Sequence, residues 1–164
     1  MTHPALYQSF AQYNQIMNQR IFEICAGISD TERKQDRGAF FKSIHSTLDH
    51  IIFGDRAWMN RLADKNYKLA AIGSDLFDDF EGMAEVRISL DVDICQWTAE
   101  LSEEWLLADM TWTTMLDGSV RTQPRWLLTS HMFNHQTHHR GQLSTLLNQA
   151  GYDVGITDLP RLVM

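Results

Sequence analysis

Four of the seven histidines in this 164-residue chain fall in one short run: His131, His135, His138 and His139. The run follows Pro124 and meets no further proline before Gly151, so it reads as part of a long final helix. With His131 placed at 0° on a wheel of about 100° per residue, His135 lies at about 40°, His139 at about 80° and His138 at about −20°. Leu128, Met132, Leu143 and Leu146 form the apolar row of the same helix between about 60° and 120°. His135 and His139 therefore sit inside the core stripe, with His131 and His138 at its edge. Two imidazoles one turn apart can share a metal ion. Buried bare, each would leave polar nitrogen unsatisfied at about 1–3 kcal/mol. A shared ion removes that penalty; hydrogen bonds to backbone or water would remove it too, and both readings stand.

The residues around the pair narrow the chemistry. A zinc peptidase needs Glu where this chain has Gln136, and no Asp or Glu occurs between Pro124 and Gly151, which excludes that mechanism. No Glu-x-x-His occurs anywhere, which excludes the di-iron carboxylate pattern. Two imidazoles are too few for a site, so a third ligand must come from another helix. The candidates are His45 and His50; His3 lies close to the N-terminus. With Ile44 at 0°, His45 falls at about 100°, beside the apolar face, and His50 at about 240°. Near His50 lie Ser43, Gly54 and Ala57, a small-sided stripe that lets a neighbouring helix approach. Geometry alone leaves both histidines open.

The elements that must position these residues follow from apolar periodicity. Pro4 to Cys25 reads as a first helix through Leu6, Phe10, Tyr13, Met17, Ile21 and Ile24, stopped by Gly27. A second is expected from about Arg37 to Asp64, through Phe41, Ile44, Leu48, Ile51, Ile52, Met59 and Leu62. A polar connection from Lys65 to Asp79 leads to a third helix, Phe80 to Leu107. Thr111–Leu116 and Ser119–Gln123 flank Asp117-Gly118 and predict a β-hairpin. The final helix spans Pro124 to Gln149, and Gly151–Met164 reads as an irregular tail. Short connections and no linker predict a single domain over residues 1–164: all-α, an antiparallel four-helix bundle with a short β-hairpin before the last helix.

Composition sets outer limits. Apolar residues make up 44% and charged residues 21%, an ordinary globular mixture. A net charge of −7 with no Lys/Arg run argues against nucleic-acid binding. No apolar stretch is long enough to cross a bilayer, and the first residues lack signal-peptide order. Cys25 and Cys95 lie in apolar-periodic stretches and read as buried structural thiols in a reducing, cytoplasmic setting. There is no phosphate loop, dinucleotide fingerprint or serine nucleophile elbow, so nucleotide cofactors are not expected.

Three segments carry a resemblance to a known family. They are Phe41-Lys-Ser-Ile-His-Ser-Thr-Leu-Asp-His-Ile51 with Asp55-Arg-Ala-Trp58, the run His131-Met-Phe-Asn-His-Gln-Thr-His-His-Arg-Gly-Gln142, and the tail Gly151-Tyr-Asp-Val-Gly-Ile-Thr-Asp-Leu-Pro160. Together they resemble the DinB family of DinB/YfiT-like metalloenzymes over nearly the whole chain. The resemblance implies an up-down-down-up bundle, a homodimer, and one divalent metal on a histidine of the second helix and two of the fourth. Carried to this sequence, it selects His50, with His135 and His139, over His45. Related families include thiol-dependent S-transferases and a thiol-dependent maleylpyruvate isomerase. The family name implies no DNA binding.

Three neutral imidazoles leave a divalent ion at least one open position, the mark of a catalytic rather than a structural site. The leading expectation is a metal-dependent enzyme, a thiol-dependent S-transferase or related thiol-addition activity. The ion would be zinc, nickel or iron, and the reactants a small-molecule substrate and a low-molecular-weight thiol. The alternatives are a non-catalytic stress-related metal-binding or interaction protein, and a metal-dependent hydrolase. His138 and Gln142 are candidates for contacts behind the ligands. Arg140 points away from His131 and is expected to be solvated or ion-paired, and Gly141 to mark close helix packing. The five tryptophans read as core or interface anchors, and Asp78-Asp79 and Glu103-Glu104 as solvated helix ends.

Overall fold

Pro4 opens α1 (Pro4–Ala26), where its missing N–H costs nothing, and the His3 ring caps the turn by accepting from the Ala5 N–H. The computed structural model describes residues 3–71, 74–115 and 117–163. Leu116 of the expected hairpin and Met164 of the tail lie outside them. After Gly27 comes a single-turn helix, α2 (Asp30–Arg33), which the periodicity did not suggest; Ser29 caps it.

The second long helix, α3 (Ile44–Leu62), begins seven residues later than expected. Gly38 and Lys42 adopt left-handed φ values of 70° and 64°, and Ala39 and Lys42 form an isolated bridge. A turn of that kind cannot continue into a helix. Ser43 starts α3 instead, its hydroxyl accepting from the Ser46 N–H. The displaced residues matter below, because they carry Phe41.

Asp79 caps α4 (Phe80–Ala99) by accepting from the Gly82 N–H. The expected single helix from Phe80 to Leu107 breaks at Glu100. Leu101 turns inward, and Ser102 caps a separate helix, α5 (Glu103–Leu107). Strands β1 (Asp109–Thr113) and β2 (Val120–Pro124) pair antiparallel, with Thr111 opposite Thr122. The hairpin is present, but its loop is wider than a two-residue Asp-Gly turn. Asp117 accepts from the Thr114 hydroxyl and the Ser119 N–H, and Gly118 takes φ 69°.

The last long helix, α6 (Arg125–Gln149), leads to a tail containing α7 (Leu159–Leu162). That tail is less irregular than its composition suggested. Arg20 donates to the Val154 and Ile156 carbonyls, Tyr13 donates to that of Thr157, and Val154 is buried.

α1 packs mainly against α4 and α3 mainly against α6, with further contacts between α3 and α4 and between α1 and α6. One core runs between them, from Tyr7, Met17 and Ile21 through Ile44, Leu48 and Ile52 to Met83, Leu90, Met132 and Leu143. Contact with both α1 and α3 buries α6 on more than one side: Leu128, Thr129, Met132, Phe133, Gln136, His139, Arg140 and Leu143 are all inside. Among the described residues no helix is long and apolar enough to cross a membrane.

Candidate metal centre

His50 reaches the site from the middle of α3, and His135 and His139 from successive turns of α6. One ligand atom from each lies within 4.8 Å of the other two. His50 Nε2 and His135 Nε2 are 3.2 Å apart. Two imidazole nitrogens bound tetrahedrally to one zinc ion, at the usual Zn–N length, are separated by about 3.3 Å. The spacing of this pair therefore fits one divalent ion between them.

The local sequence explains the approach of the two helices. Gly54 lies one turn after His50, and the His135 ring rests on its bare backbone. A Cβ added at Gly54 would overlap His135 Cε1 and come within 2.9 Å of Nδ1. The small-sided stripe beside His50 thus serves as the bed for the His135 ring. Phe41 roofs the group, stacked on His50 at 3.8 Å between ring centroids and set edge-on to His139 at 5.3 Å. Phe41 can do this because residues 38–42 form a turn before α3.

Protonation suits a ligand role. Burial, reinforced by the nearby His139, pushes the His50 pKa down to about 4. Burial, reinforced by the four neighbouring histidines His139, His50, His131 and His138, pushes His135 down to about 3. Both rings are neutral at pH 7, with lone pairs available. His135 Nδ1 is buried with no hydrogen-bond partner among the described residues, and its Nε2 faces His50 Nε2.

His139 is oriented differently. Its Nδ1 lies 2.8 Å from Gln142 Oε1, and Gln142 Nε2 lies 3.3 Å from His138 Nε2. An amide oxygen accepts, so His139 Nδ1 carries the proton and Nε2 keeps its lone pair. Gln142 and, through it, His138 thus stand behind His139. The donor set is three neutral nitrogens, which fits a borderline divalent transition ion better than Ca²⁺ or Mg²⁺.

His45 takes no part. It is buried on α3, with Nε2 2.9 Å from the Phe77 carbonyl, and anchors the loop before α4. Beside it, Asp49 accepts from the Leu76 N–H with both carboxylate oxygens, and burial raises its pKa to about 6.

A cavity of about 340 Å³ adjoins the cluster. His50, His135 and His131 form one side, and Phe53, Trp58, Trp112, Arg61 and Arg121 are among the residues of the rest. Trp58 and Trp112 therefore wall a cavity as well as anchoring the core, beyond what the sequence reading assigned them. His131 is exposed and set edge-on to Trp58, 5.0 Å between centroids.

Two expectations need correcting. Arg140 is only 4% exposed and forms no ion pair among the described residues. Its guanidinium lies 5.2 Å from the Tyr13 ring centroid, and burial pushes its pKa down to about 10. The side of α6 opposite His131 faces α1, not water. Gly141 does not mark close packing either, since an added Cβ there would meet none of the described residues within 4 Å.

A buried polar group beneath the site escaped the sequence reading. Asp55 accepts from Arg87 at 2.5 Å and from Gln136 Nε2 at 2.5 Å. Arg87 also donates to Asp91 at 2.7 Å, and Asn18 donates to the same carboxylate at 2.9 Å. One signal could have found it: Asp55 falls about 20° from Ile44 on the wheel, a charged residue inside an apolar stripe.

Comparison with known proteins bears on the family and the fold. A family model described as the DinB family matches residues 1–164. Protein DinB of Bacillus subtilis (strain 168) is 26% identical over 156 residues, spanning 90% of this chain and 87% of the relative. A crystal structure of a DinB-like protein from Bacillus cereus superposes with a TM-score of 0.68 at 18% identity, over 88% of this chain and 90% of that one. That likeness identifies the mostly helical fold with its small sheet as DinB-like.

Proposed function

This chain belongs to the DinB family, and from that premise we propose a divalent-metal enzyme that transfers or adds a low-molecular-weight thiol to a small-molecule substrate. The ligands are His50, His135 and His139, and the ion is zinc, nickel or iron. The reading carries with it an antiparallel up-down-down-up arrangement of α1, α3, α4 and α6, a homodimer, and action in the cytoplasm. One observation carries it: three neutral ring nitrogens converge within 4.8 Å at the wall of a cavity large enough for a small reactant.

A divalent ion held there supplies a Lewis acid that keeps a thiol sulfur as thiolate at neutral pH. The protein's own groups do the rest. His50 and His135 present lone pairs because burial keeps them unprotonated. Gln142 fixes the His139 proton on Nδ1, and Phe41 shields the cluster from water on one side. Three protein ligands leave room for a reactant as the fourth.

A hydrolase would draw its nucleophile from metal-activated water, with a protein base helping by accepting the proton. Among the described residues the one carboxylate lining the cavity is Asp117, whose Oδ1 is already held by Thr114 and Ser119. That lack of a free carboxylate base favours thiol chemistry, because a thiol, with a pKa of about 8.5, gives its proton to solvent far more readily than water does. It equally favours a metal-binding protein without turnover as the second reading.

Elemental analysis combined with a thiol assay separates them. Purified protein is expected to carry about one divalent ion per chain and to consume small thiols with electrophiles. His50→Ala, His135→Ala and His139→Ala should each lose most of the metal and the turnover while helical content persists, and His45→Ala should keep the ion. Metal bound with no turnover across several thiols would leave the non-catalytic reading. Metal retained in all three variants would overturn the site.

A further inference from the structure

Arg61 sits on α3 at the edge of the cavity with a guanidinium that has little to do. It makes no ion pair among the described residues, although the chain holds 21 acidic residues against 14 basic ones. Of its five N–H donors, one has a partner among the described residues, the Ala57 carbonyl at 2.9 Å. Two indoles flank it: the guanidinium carbon lies 5.2 Å from the Trp58 ring centroid and 5.6 Å from that of Trp112. Burial lowers its pKa with no neighbouring charge to oppose the shift. Asp117, which shares the cavity, is held by Thr114 and Ser119.

A half-buried cation, fixed by two indole faces and left with free donors toward a cavity, is a counter-charge without its partner. The walls specify the rest of that partner. Phe53, Trp58 and Trp112 favour a flat apolar body, and about 340 Å³ lies at the small end for ligand sites. His50 and His135 stand on the same cavity wall, so a ligand anchored at Arg61 presents its other end to them.

We propose that Arg61 is the specificity-determining residue of this cavity, and that one reactant is a small planar carboxylate whose carboxylate pairs with Arg61 while its body lies along Trp58 and Trp112. The inference deepens the function proposed above and rests on it only for what happens at the histidine end. Arg61 binds the reactant and takes no part in bond making.

Binding of benzoate and of the neutral isostere benzamide, followed by tryptophan fluorescence, tests this directly. Both are titrated into metal-free and metal-loaded protein. Benzoate should bind at least about tenfold more tightly than benzamide in both forms. Arg61→Gln should abolish the preference with helical content unchanged, and Arg61→Lys should retain part of it. His135→Ala, which strips the metal, should leave the preference in place. Equal binding of the two probes, or a preference surviving in Arg61→Gln, would overturn the inference. A preference that appears only with metal and ignores Arg61 would mean the carboxylate binds the ion, which sinks this inference and spares the metal site. An Arg61-dependent preference in a protein that binds no metal would do the reverse.

Discussion

The three candidate ligands meet the cost of desolvation in two different ways. His139 has a partner behind it, and that partner is testable. Gln142 Oε1 selects the tautomer that leaves Nε2 free. Gln142→Leu removes the acceptor at similar volume and should weaken metal binding about 10–100-fold, read by competition with a chelating indicator. Gln142→Glu keeps an acceptor and should retain most of the affinity. His50 and His135 have no such partner and remain neutral through burial. For the metal-free protein this fixes a pH dependence. Their folded pKa values, about 4 and about 3, lie below the ordinary 6.5 of an unfolded chain. Below 6.5 the unfolded state therefore binds more protons than the folded one. The stability is fully present above 6.5 and is lost as pH falls through the window down to about 3. Urea midpoints of chelator-treated protein should decline across that range, and His50→Ala should flatten part of the slope. A midpoint constant from pH 7 to 4.5 would contradict the assignment.

At the scale of the element, α3 shows which parts of the site could be read in advance. Ser43, Gly54 and Ala57 stood out beside His50 because small side chains on one helical stripe have a simple meaning: something comes close. The structure puts the His135 ring there. Where α3 begins could not be read the same way. Phe41 and Ile44 fit one apolar face, and only the left-handed backbone at Gly38 and Lys42 reveals that Phe41 belongs to a turn. Periodicity records burial and does not distinguish a helix from a turn that buries the same ring. The break between α4 and α5 was hidden for the same reason, since Leu101 continues the apolar spacing while Ser102 starts a new helix. Gly54→Ala exploits this. Alanine favours the helix by about 1 kcal/mol, so helical content should hold or rise. Its methyl group claims the space of His135 Cε1, so metal affinity should drop by at least about tenfold. Helical content held while metal binding falls, by circular dichroism and metal titration, is the expected outcome. Unchanged affinity would show that the ring can move without disturbing the cluster.

At the scale of the whole molecule, the four long helices were legible because each carries an apolar stripe and few breakers. What joins them was not, because charged residues inside stripes look like surface residues that happen to fall there. Arg140 illustrates the error: a residue opposite His131 is solvated only if its helix buries one side, and α6 touches both α1 and α3. The polar group at Asp55 is the larger case. Asn18 belongs to α1, Asp55 to α3, Arg87 and Asp91 to α4, and Gln136 to α6, so one hydrogen-bonded set ties together all four long helices. Gln136 adjoins His135 in sequence, and Asp55 adjoins Gly54. The set therefore fixes the relative height of α3 and α6 at the level where the candidate ligands meet. Breaking such a set is costly because the remaining charges stay buried. Asp55→Ala leaves Arg87 with Asp91 alone and Gln136 without its acceptor, and should cost about 3–5 kcal/mol in urea denaturation. Asp55→Asn keeps an acceptor for Gln136 and should lose less. If the alanine variant loses under about 1 kcal/mol, then apolar packing alone sets the helix register. If it loses the expected amount while still folded, its metal affinity should fall with it, because His50 and His135 share a site only at that one relative height of their helices.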